Sequence, residues 1–311
     1  MKLAIKITLA LLIAAIIYSM VPVAVLYLKK DAKSYTNEDA VKTFAGNKGD
    51  YFAFIVFGDN HGGFPLTDSA MLKIIGRVNR EGRFRKIPVD FVANMGDVAF
   101  YWGSEWEYRV YNKLRAMIKW PVISVAGNHD DAKNGDLARF HKYAGMSEFS
   151  FADRNSYFIV IDNRGNNINA AQFTWIESEL DKASAYKHRF VFMHKPPLSL
   201  YQQSWFRPEL SPWSKRFMKL CEKHKVDIVF AGHEHLFKEG SYGGVKYIIS
   251  GGAGMLTQVP DSEGGFLHYI VVRVYDDYVD YEVRKVFPPL WEFFSYYMWK
   301  SALYFLKNIF Y

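Results

Sequence analysis

Tyr51-Phe52-Ala53-Phe54-Ile55-Val56-Phe57-Gly58-Asp59-Asn60-His61 is a dense apolar and aromatic run that stops at a glycine and gives way to a carboxylate, an amide and an imidazole. Short apolar runs closed in this way read as strands buried on both faces. The pattern recurs down the chain. Val89 to Met95 stops at Gly96-Asp97, and Val122 to Ala126 stops at Gly127-Asn128-His129-Asp130. Phe190 to Met193 stops at His194, and Asp227 to Ala231 stops at Gly232-His233-Glu234-His235. Helical patterns lie between them, over Ser69 to Arg80, Ser104 to Lys119, Ala170 to Ser184 and Pro212 to Lys223. Beyond Gly232 the helices give out. Val245 to Ser250, Leu267 to Tyr275 and Tyr278 to Val286 read as antiparallel strands. The outline is α/β with a second, β-rich half. There is no internal repeat and no low-complexity tract.

The polar residues gather where the strands end. Open α/β sheets bind their ligands beyond the carboxyl ends of the strands. A single histidine at a strand end is usually structural, but here five separate ends each offer Asp, Asn or His. That agreement is what points to a metal site. Oxygen and imidazole donors suit zinc, manganese or iron. The one cysteine, Cys221, sits in a helical pattern and reads as a core thiol. An internal disulfide is therefore excluded, and a thiolate zinc finger is disfavoured. A glycine just before a ligand permits a tight turn or a close backbone approach.

Taken together, Asp59-x-His61, Gly96-Asp97, Gly127-Asn128-His129-Asp130, His194 and Gly232-His233-x-His235 resemble the signature of the calcineurin-like metallophosphoesterases, in order and spacing, across residues 52–285. The resemblance implies a four-layer αββα sandwich. It implies two divalent cations, of manganese, iron or zinc, with Asp59, His61 and His235 on one, Asn128, His194 and His233 on the other, and Asp97 bridging. His129 would sit beside the metals as the catalytic acid or charge stabiliser, without binding them. The expected chemistry is a shared water or hydroxide attacking phosphorus. Two departures narrow the class. The serine/threonine phosphatases of the superfamily continue Gly-Asp with Asp-Arg-Gly, whereas Val98-Ala99-Phe100-Tyr101-Trp102 follows here. The purple acid phosphatases place a tyrosine ligand where Phe100 stands and lack the histidine at His61.

The 311-residue chain carries a net charge of +7, which suits either a phosphorylated or anionic partner or simply a solvated surface. No nucleic acid is expected, and the oligomeric state is left open. The run from Ile7 to Leu28 is 22 residues without a charge, broken only by Pro22 and ended by Lys29-Lys30. About 20 apolar residues cross a bilayer as a helix. Residues 1–30 are thus expected to be a retained single-pass signal anchor rather than a cleaved signal, with the domain on the exported side. Residues 31–50, with Gly46 and Gly49, read as a linker, and 51–287 as the catalytic domain. Residues 288–311 read as an amphipathic aromatic helix lying in the membrane interface. In it Glu292, Lys300 and Lys307 form a charged strip about 80° wide. The aromatic, basic stretch from Leu198 to Trp213 and the Ser250 to Gly254 loop are candidates for lining the site. The expected function is an anchored phosphoesterase or pyrophosphatase with a lipid-linked substrate. The alternatives are an anchored hydrolase of a soluble phosphoester, such as a nucleotide or sugar phosphate, and a catalytically inactive binding module.

Overall fold

Eight of the strands that build the two sheets run without an exposed residue because both of their faces are covered. The computed structural model describes residues 14, 20–44, 49–132, 135–165, 167–200 and 210–287. Its strands are β1 (Phe52–Phe57), β2 (Val89–Asn94), β3 (Val122–Ser124), β4 (Phe149–Asp153), β5 (Ser156–Ile161), β6 (His188–Met193), β7 (Ile228–Ala231), β8 (Phe237–Tyr242), β9 (Val245–Ser250), β10 (His268–Val274) and β11 (Val279–Lys285). Its helices are α1 (Asn37–Val41), α2 (Pro65–Phe84), α3 (Glu105–Arg115), α4 (Ala138–Ala144), α5 (Ala170–Ala183) and α6 (Pro212–Lys223).

One sheet has the order β11-β10-β1-β2-β3 and the other β4-β5-β6-β7-β9-β8. Both are mixed: β1, β2 and β3 are parallel and β10 is antiparallel to β1. In the second sheet β5, β6, β7 and β9 are parallel, with β4 and β8 antiparallel at the edges. Phenylalanines fill the space between the sheets. Phe54 stacks on Phe91 at 5.1 Å and meets Phe158, Phe190 and Phe230 edge-on. Edge-to-face contact is the favoured aromatic geometry, and these large side chains set the spacing of the layers. Ile55, Ile74, Val78 and Val110 make a second core beneath α2 and α3. Ile159, Ile176, Val191 and Phe217 make a third beneath α5 and α6. The result is the expected four layers.

The helices start where the sequence supplies caps. Ser104 and Asn169 form capping boxes with Glu107 and Gln172, and Pro65 and Pro212 occupy first turns. These residues satisfy orphan N–H groups or lack one. Helix α2 runs longer than its periodic stretch, from Pro65 to Phe84. Strand β4 and the edge strand β8 escape a reading of apolar runs, while β5, whose Tyr157 to Ile161 is such a run, is absent from the expected strands. Phe149–Asp153 alternates buried with part-exposed residues, and Phe237–Tyr242 is largely half-exposed. The expected β-rich second half is also redistributed. Strand β9 is parallel to β7 in the second sheet, while β10 and β11 return to β1.

The stretch read as a linker is packed on the domain where it is described. The Asn37 side chain is buried, donates to Ser124 O at 2.9 Å and accepts from Ser124 N at 2.8 Å. Phe44 stacks on Phe91, and the Arg115 guanidinium lies 3.8 Å from the centre of the Tyr35 ring. Composition marks such a stretch as polar; it does not reveal that each polar group finds a partner. Residues 20–28 are helical. Most of the expected N-terminal anchor and all of the expected helix over 288–311 lie outside the described residues. Tyr201, Trp205, Phe206 and Arg207 of the aromatic loop do too. Among the described residues no helix is long and apolar enough to cross a membrane.

Candidate metal centre

Five strand ends, three from one sheet and two from the other, deliver their polar residues to one place. The backbone there is under strain. Asp59, His61, Asp97 and His233 all have positive φ, between 46° and 68°. Such a conformation costs an L residue roughly 1–2 kcal/mol and persists only where the surroundings enforce it. Here cross-strand hydrogen bonds do so: Asp59 N–H donates to Gly96 O and His61 N–H to Asp97 O, both at 3.0 Å. Gly96 has φ +99°, and a Cβ on it would lie 2.6 Å from His194 Nδ1. A Cβ on Gly127 would run into the Asp97 carboxylate. These glycines are needed for close approach as well as for turning.

Three groups of ligand atoms lie within 4.8 Å of one another: Asp59 with His61 and His235, His61 with Asp97 and His129, and Asp97 with His194 and His233. Asp97 Oδ2 lies between two imidazoles, 3.6 Å from His61 Nε2 and 3.3 Å from His194 Nε2. His235 Nε2 is 3.7 Å from Asp59 Oδ1. Asn128 Oδ1 is 3.1 Å from His194 Nε2. Asp59, His61, Asp97 and His194 are buried, while Asn128, His129, His233 and His235 are half-buried and form the open side.

The histidine tautomers follow from their neighbours. His61 Nδ1 faces Phe100 O at 3.1 Å, His194 Nδ1 faces Met95 O at 2.8 Å, and His235 Nδ1 faces Leu256 O at 3.2 Å. A carbonyl only accepts, so each Nδ1 must donate, and a ring that is neutral turns the lone pair of Nε2 towards the carboxylates. Lone pair facing carboxylate is repulsive unless a positive charge lies between. His61 Nε2 is buried with no hydrogen-bond partner. Burial holds His61 down at about 4 and His235 at about 3, so both stay neutral at pH 7. Burial is also the main reason Asp59 stands well above the usual carboxylate range, with the Asp97 charge adding to it. Burial opposes ionisation of Asp97 too, but the His194 charge and hydrogen bond lead the effects that outweigh it and hold Asp97 well below the usual carboxylate range. Burial lowers His194 as well; the Asp97 charge and hydrogen bond overcome it and raise His194 to about 9. Without a metal, the cluster calls a proton onto a ring to supply positive charge. Carboxylate, amide oxygen and neutral imidazole donors around a demand for positive charge fit divalent cations.

Every residue expected as a ligand reaches this cluster. His233 and His235 follow β7 on a loop and fall into different groups. His129 comes nearer than expected: a ring nitrogen is grouped with His61 and Asp97, its backbone N–H donates to Asp97 Oδ1 at 2.8 Å, and its buried Nδ1 has no partner. Sequence reasoning missed the residues that hold the loops. Asp130 accepts from Ala99 N at 2.9 Å and Gly127 N at 2.8 Å, and burial with the Asp97 charge pushes it up to about 8. Asn163, just past β5, accepts from His194 N and Lys195 N. Asn94 donates to Asn60 Oδ1 at 2.7 Å. Asp130 stood within the motif with no role assigned; Asn163 follows Tyr157-Phe158-Ile159-Val160-Ile161, an apolar run of the same kind that is absent from the expected strands.

The chain matches the family model described as calcineurin-like phosphoesterase over residues 52–237. It is 25% identical over 190 residues to a probable cyclic nucleotide phosphodiesterase of Rhodopseudomonas palustris, covering 57% of this chain and 67% of that protein. It is 25% identical over 207 residues to the human serine/threonine-protein phosphatase CPPED1, covering 61% of this chain and 64% of that one. In fold it is similar to the purple acid phosphatase PPD1 of yellow lupin, at TM-score 0.57 and 15% identity, covering 78% of this chain and 52% of that one. It is likewise similar to GAP50, the anchor in the inner membrane complex of Plasmodium, at TM-score 0.59 and 13% identity, covering 76% and 85%. With the family model spanning more than half its length, the chain belongs to the calcineurin-like phosphoesterase family, a family of metal-dependent phosphoester hydrolases.

Proposed function

We propose that this protein is a membrane-anchored dinuclear phosphoesterase that cleaves a phosphoester or pyrophosphate. The observation that carries the dinuclear reading is Asp97, whose carboxylate belongs to two ligand groups at once. Asp59, His61 and His235 would hold one divalent cation, Asn128, His194 and His233 the other, and Asp97 both. Two such cations supply Lewis-acid polarisation of phosphoryl oxygens and make water acidic enough to attack at neutral pH. The backbone around them keeps the ligands in place before substrate arrives, which limits reorganisation during the reaction. His129 lies on the open side, its ring 4.8 Å from that of His61. There it stabilises the transferring phosphoryl group or gives a proton to the leaving oxygen. Replacement of Asp97 by Asn, with metal content and turnover measured on one sample, tests the assignment. Loss of both is expected; two metals per chain with full turnover would refute it.

Two substrate classes have support. The apolar run from Ile7 to Leu28 favours an anchored enzyme with a lipid-linked substrate. The name of the Rhodopseudomonas relative favours a soluble phosphodiester such as a cyclic nucleotide. Turnover of lipid against soluble phosphoesters by the full, detergent-solubilised chain separates them.

A further inference from the structure

Aromatic side chains crowd one rim of the metal centre. Trp106, 43% exposed, meets the Tyr27 ring edge-on at 5.1 Å, and its indole N–H points to Gly63 O at 3.4 Å. Phe64, the next residue, stacks on Phe100 at 4.5 Å, and the Phe100 carbonyl is the group that orients His61. Tyr101, 55% exposed, packs against the half-exposed Trp102 at 4.5 Å and lies 6.4 Å from the His129 ring. Ring contacts, linked by the Trp106–Gly63 hydrogen bond and by the chain neighbours Gly63-Phe64 and Phe100-Tyr101, thus lead from the end of the 20–28 helix to the mouth of the site.

That helix says what covers the rim. It closes the uncharged run from Ile7 to Leu28, which is long enough to span a bilayer. Val25 and Leu28 of its last turns are exposed, and Lys29 and Lys30 follow, also exposed. The same turn is pinned to the domain: Leu26 enters the core, Tyr27 O–H donates to Asp68 at 2.6 Å, and Lys113 Nζ donates to Tyr27 O at 3.1 Å. The point where the apolar run meets the domain is therefore the point where the rim begins. Tryptophan and tyrosine favour the boundary between bilayer and water, and lysines there favour anionic headgroups.

We propose that Phe64, Tyr101, Trp102 and Trp106 lie in the membrane interface and that the substrate is the phosphate or pyrophosphate headgroup of a lipid, admitted to the metal centre along that rim. The inference rests on the anchored-hydrolase reading and adds to it a face and a route of entry.

The test uses the full chain in vesicles of zwitterionic and anionic phospholipid. A fluorophore is placed by Trp102→Cys; Cys221 is buried and stays unlabelled. Quenchers carried on lipid headgroups should dim the probe, and aqueous iodide should reach it poorly. The reverse order would overturn the proposal, including the case in which a soluble protein partner covers the rim instead. The double variant Tyr101→Ser with Trp102→Ser should lower turnover of a phosphorylated lipid roughly tenfold or more, as expected for removing two interfacial aromatic side chains. Turnover of a soluble aryl phosphate by the same vesicles should stay within about twofold, since the reacting groups are untouched. Equal losses on both substrates would overturn the proposal. If the unsubstituted chain, metals bound, hydrolyses neither substrate, the hydrolase reading fails, and the probe's depth still decides the position of the rim.

Discussion

His129 is the residue whose role the geometry sharpens most. Its backbone N–H holds Asp97, while its ring nitrogen comes within ligand range of His61 and Asp97. His129→Asn keeps the backbone donor and removes the imidazole. If the ring is catalytic, metal content should remain near that of the parent and kcat should fall by roughly 100- to 10,000-fold, the range of acid–base catalysis. Loss of a metal in the variant would instead make His129 a ligand. The candidate ligands were legible in the sequence because each stands directly after an apolar run. The roles of Asp130, Asn94 and Asn163 were not, because they lie in hydrogen bonds to loops 30 or more residues away.

The first turn of α2 acts as a clamp between the 20–28 helix and the loop after His61. Asp68 accepts from Gly63 N at 3.1 Å and from Tyr27 O–H at 2.6 Å, and Thr67 O–H donates to His61 O. Burial pushes Asp68 up to about 7, against the hydrogen bonds from Tyr27 and Gly63. A carboxyl raised in the fold contributes stability that is complete below its unfolded pKa, near 4, and lost as pH rises through 7. The loss is on the order of 4 kcal/mol at about 1.4 kcal/mol per unit. Asp68→Asn keeps an acceptor for Gly63 and cannot ionise, so its melting temperature should fall less than the parent's between pH 5 and pH 8. Parallel curves would show that Asp68 does not ionise in that range. Composition concealed this element: an apolar run reads as a membrane helix and the polar stretch after it as a linker, and nothing in residues 20–44 taken alone indicates that Leu26 and Asn37 are buried in the domain and Tyr27 half-buried against it.

Across the whole molecule, the candidate metal centre joins residues of one sheet to residues of the other. Asp59, Asp97 and Asn128 follow β1, β2 and β3, whereas His194, His233 and His235 follow β6 and β7 of the second sheet. Cations binding only the folded chain would stabilise it by roughly 4 kcal/mol at a thousand times the dissociation constant. Removing them also leaves Asp59, Asp97 and Asp130 buried together, the Asp97 charge disfavouring ionisation of the other two. Chelation should therefore lower the melting temperature by roughly 10 °C in a domain of this size, and added divalent metal should restore it. An unchanged melting curve after metal loss would mean that the ligands do not tie the sheets.

The sequence by itself determined most of the strands, the main helices and the candidate ligand set. Those features are local: an apolar run needs burial wherever it lies, and a capping residue acts within one turn. Tertiary structure alone decided which sheet each strand joined and that β10 and β11 return to β1. It also decided that positive φ is imposed on four site residues and that the polar stretch before β1 is docked. These outcomes depend on partners far apart in the chain, and a pattern of neighbours carries no information about which distant group will lie within 3 Å.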